Sequence, residues 1–155
     1  MKIEMDFPDI KIDDKWIEKL NLPKVMAQEV QTTRTRLLTN LNQGQNAEGG
    51  GLRAYSPGYA KFKQASGRST VPNLNWTGEL HRSMQATVPK SLEDEAKIQF
   101  QGTHKGGFSN AGLASTLYAR GFAGWFQFGS VDLKRIQESV MKAIDKNISK
   151  LLDIK

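Results

Sequence analysis

The sequence predicts an α+β fold in which an antiparallel sheet packs with long N-terminal and C-terminal amphipathic helices, joined by glycine-rich loops. Two observations lead there. Apolar residues recur at helical spacing near both ends, and the middle of the chain alternates apolar and polar residues around a polar turn. The chain has 155 residues, 38% hydrophobic and 25% charged, which suits a single domain over 1–155. At this size folding removes about 70% of the unfolded chain's surface from water, so a core alone can hold the fold.

Met1, Ile3, Met5 and Phe7 alternate with Lys2, Glu4 and Asp6, the pattern of a half-buried strand ending at Pro8. Trp16, Ile17 and Leu20 fit one or two helical turns before Pro23 interrupts them. A first long helix is expected over 24–42: Pro23 suits its start, and Met26, Val30, Leu37 and Leu41 form a stripe completed by Thr33 or Arg34. Its other face, including Gln28, Glu29, Thr32 and Arg36, is polar. Residues 42–51 read NQGQNAEGGG, a mobile loop by default, because consecutive glycines lose much backbone entropy on ordering. Deleting Glu48–Gly51 is accordingly expected to leave the fold intact and alter assembly. The whole stretch 42–75 reads as an extended loop or arm.

Thr77 can cap a short helix that buries Leu80 and Met84, with Glu79 favourable in its first turn. A hairpin over 85–89 and 96–101 sets Ala86 and Val88 opposite Ile98 and Phe100. Gly102–Gly112 is loop-like, and 113–119 can form a brief helix. Phe122, Trp125, Phe126 and Phe128 form an aromatic cluster that is either core or interface. Ser130 is a good N-cap and Asp132 suits the first turn of a helix running to about Leu152. Along it Leu133, Ile136, Val140, Ile144, Ile148 and Leu151 keep helical register, with Lys134, Arg135, Lys142, Lys146 and Lys150 mostly outside.

The net charge of +6 is unevenly spread. Residues 1–22 carry four bases and six acids, whereas Arg34 to Lys90 holds eight bases against only Glu48 and Glu79. That bias points to a polyanionic neighbour, DNA or an acidic protein surface, or to a solvated basic face. Arg34, Arg36, Arg53, Lys61, Lys63 and Arg68 are the candidate contacts. Tyr55, Tyr59 and Trp76 lie among several of them, as stacking on single-stranded nucleic acid requires, or else they anchor an irregular segment to the core.

With no cysteine, disulfides, thiolate metal sites and thiol nucleophiles are excluded. His81 and His104 have no partner at metal-ligand spacing, and His81 and Ser83 diverge on a helix. A glycosidase needs a carboxylate pair, and nothing in the spacing of Glu79, Glu93, Asp94 and Glu95 singles one out. No P-loop, dinucleotide fingerprint or nucleophile elbow occurs. A non-enzyme without cofactor or metal is expected. No apolar run reaches the ~20 residues that span a bilayer, so neither a membrane span nor a signal peptide is expected, and the chain reads as cytoplasmic.

Tyr55, Ser56, Tyr59 and Lys63, followed by Leu74, Thr77, Gly78, Leu80, Ser83 and Met84, carry a resemblance. So does the late stretch ARGFAGWFQFGSVDLKRIQESVMKAI, although Trp125–Gly129 stands where a shorter phrase is usual. Over roughly 24–152 the chain resembles the tailed-phage virion-morphogenesis family of minor tail and neck proteins. The resemblance implies a structural protein of the virion's head–tail junction, assembled in the host cytoplasm. It would complete or terminate the tail as a homo-oligomeric ring, often sixfold, beside other neck and tail proteins and the DNA that passes through. Ring contacts are then expected on Phe122, Trp125, Phe126, Phe128, Tyr55, Tyr59 and Trp76, and on helix 24–42. The alternative reading is a basic nucleic-acid-binding module.

Overall fold

The structure, a computed structural model, describes residues 20–91, 94–104, 106–122 and 124–152. The strand expected at 1–7 and most of the turn at 16–20 lie outside them. In chain order come α1 (Leu22–Asn42), α2 (Pro57–Ala65), α3 (Glu79–Ser83), β1 (Met84–Thr87), β2 (Lys97–Phe100), α4 (Asn110–Ala119) and α5 (Ser130–Leu152). The α+β class and both long helices are as the sequence predicts. No helix among the described residues is long and apolar enough to cross a membrane.

Helix α1 lies at the centre, with α5 along one side and the hairpin against another. It starts through Pro23 and buries Val30, Thr33, Leu37 and Leu41, the expected stripe. Glu29, expected on the solvent face, is buried instead. The reason is α5, which crosses α1 antiparallel and supplies partners: Arg135 Nε donates to Glu29 Oε2 at 2.7 Å and Ser139 Oγ to Glu29 Oε1 at 2.7 Å. One turn on, Arg135 Nη2 donates to Thr33 Oγ1 at 2.8 Å, and Arg36 reaches Asp132. The edge that α5 turns to α1 is thus the polar ladder Asp132, Arg135, Ser139. Ile136, Val140 and Ile144 of the expected stripe are half-buried beside that ladder, whereas Leu133 and Ile148 are exposed rather than buried.

The hairpin pairs Ala86 with Ile98, as the alternation indicates, but Phe100 faces Met84, which the sequence placed on the short helix, and the strand ends before Val88, which is exposed. Helix α4 begins earlier than expected because Ser109 Oγ accepts the Gly112 N–H at 3.0 Å. In α3 the capping position is Gly78, and Thr77 Oγ1 only accepts the Glu79 N–H at 3.4 Å. Leu37, Leu41, Ala47, Leu74, Leu80, Met84, Ala114 and Trp125 form the core.

Residues 42–75 are not an extended arm. An isolated antiparallel bridge joins Gln45 to Gly51, and the Asn46 side chain accepts the N–H groups of Glu48 and Gly50 at 3.0 and 2.9 Å. Ala47 is buried, its N–H bonded to Gly124 O. Glu48 accepts both the N–H and the hydroxyl of Ser130 at 2.8 Å, capping α5. This contact explains why the Glu48 carboxyl is held below its ordinary pKa. Deleting Glu48–Gly51 therefore removes a helix cap and a bridged turn, and is expected to destabilise the fold rather than leave it intact.

Candidate interaction groove

Ser56 and Pro57 start α2: Pro57 supplies a fixed φ at the first helical position, and the Ser56 hydroxyl accepts the Tyr59 N–H at 3.4 Å. The helix spaces Tyr59 and Phe62 along one side and turns Lys63 inward. Lys63 is 1% exposed and has no carboxylate partner among the described residues. Its Nζ donates to Asn75 O at 3.1 Å and Asn73 Oδ1 at 3.3 Å, approaches the Tyr55 hydroxyl at 3.5 Å, and lies 4.7 Å from the Tyr55 ring centroid. Desolvation, then the nearby Arg68, push the ammonium below its ordinary pKa.

The Tyr55 hydroxyl in turn accepts the Leu74 N–H at 2.9 Å. His81 Nε2 lies 2.8 Å from Asn73 O; a carbonyl can only accept, so this nitrogen carries the proton. Burial lowers the His81 pKa and keeps the ring neutral. Tyr55, Lys63 and His81 thus fasten residues 73–75 to α2 and α3, including Leu74 at a φ of 53°.

Over this frame the aromatic side chains assemble. Trp76 stacks on Phe62 at 5.2 Å with a 10° interplanar angle, and the Arg68 guanidinium covers the indole at 4.5 Å while bonding Trp76 O. Tyr55 meets Tyr59 edge-on at 5.0 Å and Phe122 at 6.1 Å. Beside them opens a groove of about 770 Å³, whose lining includes Tyr55, Tyr59, Trp76 and Phe122, with Arg53 and Arg120 as its arginines. No aspartate or glutamate lines it. His104, also at the groove, lies 3.6 Å from Glu79.

The candidate interface residues therefore divide. Tyr55, Tyr59, Trp76 and Phe122 come together at the groove. Trp125 is 1% exposed and belongs to the core, where it packs with Phe100 and Phe126 at centroid distances of 5.4 and 5.8 Å. Phe126 is half-buried beside it, and Phe128 stays exposed. The candidate polyanion contacts divide too. Lys63 is enclosed, Arg34 donates to Met84 O at 2.6 Å, and Arg36 holds Asp132 and Ala47 O, so these three are occupied inside the fold. Arg53, Lys61 and Arg68 remain exposed.

Of the carboxylates considered for glycoside chemistry, Glu79 faces His104, and Asp94 accepts the N–H groups of Lys90 and Ser91, bonds that lower its pKa. Glu95 lies 3.5 Å from Lys97, and Glu93 falls outside the described residues. No group of three or more potential metal-ligating side chains occurs among the described residues. Sequence reasoning missed Phe108, Leu113 and Arg120 as groove residues. Leu113 lies within α4 and Arg120 just past its end, and the apolar residues of that helix carry no strong periodicity that would reveal a face. A comparison with protein-family models found no match, and neither did comparisons with curated proteins and with solved structures.

Proposed function

We propose that this chain is a structural virion protein of a phage head–tail junction, a neck, tail-completion or tail-terminator component that assembles as a homo-oligomeric ring and works through its surfaces. The observation that carries the reading is the union of the two stretches on which the family resemblance rests. Tyr55 and Lys63 from the first hold residues 73–75 at the head of the second, through Leu74 N–H, Asn73 Oδ1 and Asn75 O. Thr77 to Met84 then continue into the core through Leu80 and Met84. The fold invests these residues in shaping an open aromatic groove, which is how an assembly protein uses surface. Other neck and tail proteins are the expected neighbours, with no cofactor.

A nucleic-acid module remains the second reading, favoured by exposed Arg53, Lys61 and Arg68 beside Trp76. Native mass across a concentration series, with imaging of any large species, tests both. Closed rings that show little affinity for free duplex support the junction reading. A monomer at every concentration that binds DNA with a steep salt slope overturns it and establishes the second. In a phage encoding the chain, its loss should leave heads and tails unjoined; normal joined particles would also overturn the junction reading.

A further inference from the structure

We infer that the groove between α2 and α4 is the seat of residues 1–19 from a second copy of this chain, an exchange that links neighbours in the proposed ring and rests on that reading. The groove combines apolar walls with positive charge: Tyr55, Tyr59, Trp76 and Phe122 line it, Arg53 and Arg120 stand in it, and no carboxylate does. Neither arginine has a carboxylate partner among the described residues; Arg53 Nη1 donates to Arg120 O at 3.0 Å. Phe108 at the same groove is 72% exposed. A hydrophobic concavity with fixed cations selects a segment that is both apolar and acidic.

The chain contains one such segment. Residues 1–19 hold Met1, Ile3, Met5, Phe7, Ile10 and Ile12 interleaved with Glu4, Asp6, Asp9, Asp13 and Asp14. Their six acids against four bases give a charge of −2, opposite in sign to the groove. They join the described fold at Leu20, just before α1, whereas the groove's Leu74 and Leu80 pack with Leu37 and Leu41 in the last turns of α1.

The two places are separated by the stretch of α1 from Leu22 to Leu37 and Leu41, about 22–29 Å of rise. Reaching its own groove would use about seven to eight fully extended residues merely to run back along α1. Delivering the segment to the next copy requires no return. Donor site and acceptor groove at opposite ends also make a head-to-tail contact, the kind that closes into a ring.

The test uses full-length chains. One variant reverses the groove (Arg53→Glu with Arg120→Glu) and another reverses the segment (Glu4→Lys, Asp6→Lys and Asp9→Lys), each checked by circular dichroism. Each alone should self-associate about tenfold more weakly or worse, and mixing the two should restore association, because reversed segment then meets reversed groove. On the wild-type protein, an excess of synthetic peptide 1–19 should dissolve the oligomer where a scrambled peptide does not, a readout independent of variant folding. Oligomers indifferent to both variants and to the peptide overturn the inference and leave the ring standing. A wild-type chain that never self-associates overturns the ring as well.

Discussion

The Arg36 guanidinium closes on the Asp132 carboxylate with both nitrogens that face it: Nε donates to Oδ1 at 2.7 Å and Nη2 to Oδ2. The Asp132 side chain is wholly buried while that of Arg36 is 23% exposed, so the pair anchors the start of α5 to the middle of α1 from inside. Asp132 Oδ2 also accepts the Gly129 N–H at 3.0 Å, the reaching-back half of a capping box. One carboxylate thus serves both as helix cap and as interhelical tie.

Removing one partner of this pair should be far worse than removing both. Arg36→Ala leaves the buried carboxylate only the Gly129 N–H and Arg135 Nη2 at 3.4 Å in place of a bidentate partner and is expected to cost up to about 3 kcal/mol, whereas Arg36→Met with Asp132→Leu should recover part of that loss. Urea denaturation midpoints measure both; equal loss in single and double variants would refute the account. Burial alone would raise the Asp132 pKa, but the bonds from Arg36 and Gly129 outweigh it and the carboxyl is held below its ordinary 3.8. Its stabilising contribution is therefore present above about pH 4 and is lost as acid titrates the folded carboxyl.

His81 makes a second pH dependence, in a different window. Its folded pKa is depressed below 6.5 chiefly by burial, so below that pH the unfolded chain takes up a proton that the folded chain resists. Stability should fall as pH drops through 6.5 toward the folded value, well before Asp132 titrates. His81→Asn, which keeps a donor toward Asn73 O, should flatten the dependence of the melting temperature between about pH 7 and pH 5. An unchanged slope would show that His81 is not the group responsible.

The long helices and the hairpin were legible because their signals are local. The stripe Val30, Thr33, Leu37, Leu41 reads directly as a buried face, and the pairing of Ala86 with Ile98 follows from alternation. What misled was any residue whose partner is distant in sequence. Lys63 has the composition of a surface lysine and is buried because Asn73, Asn75 and Tyr55 supply its acceptors. Glu29 and Asp132 look like solvent-facing helix charges until each meets an arginine from the other helix. The glycines of 42–51 promised mobility, yet Asn46 organises that loop through bonds no composition reveals. At the groove, Tyr55, Tyr59 and Trp76 were nominated by residue type, and Arg120 could not be.

Gly129 lies where the Asn46 loop meets the start of α5. A β-carbon there would lie 2.7 Å from the Ala47 carbonyl oxygen and 3.0 Å from Arg36 Nη2, so neither the backbone of the loop nor the ion pair can stay in place. Gly129→Ala is expected to destabilise by about 1–3 kcal/mol. Gly58→Ala provides the contrast: nothing lies within 4 Å of its β-carbon position inside α2, so helix propensity alone should raise stability by about 0.5–1 kcal/mol. Thermal melts of the two variants should move in opposite directions, and a tolerated Gly129→Ala would mean the loop yields easily.

Trp125 and Phe128 are three residues apart in the aromatic cluster and should respond in opposite ways. Trp125 is 1% exposed between Phe100 and Phe126, so Trp125→Ala should cost about 3–5 kcal/mol through the cavity it leaves. Its indole Nε1 is buried without a hydrogen-bond partner among the described residues. Trp125→Phe therefore removes an unsatisfied donor along with part of the packing, and should cost distinctly less than the alanine. Phe128 is 36% exposed, and Phe128→Ser should change stability by less than about 1 kcal/mol. If denaturation instead ranks Phe128→Ser with Trp125→Ala, the core is wrongly drawn at this end. If only the oligomer responds to Phe128→Ser, that ring belongs to an interface while Trp125 does not.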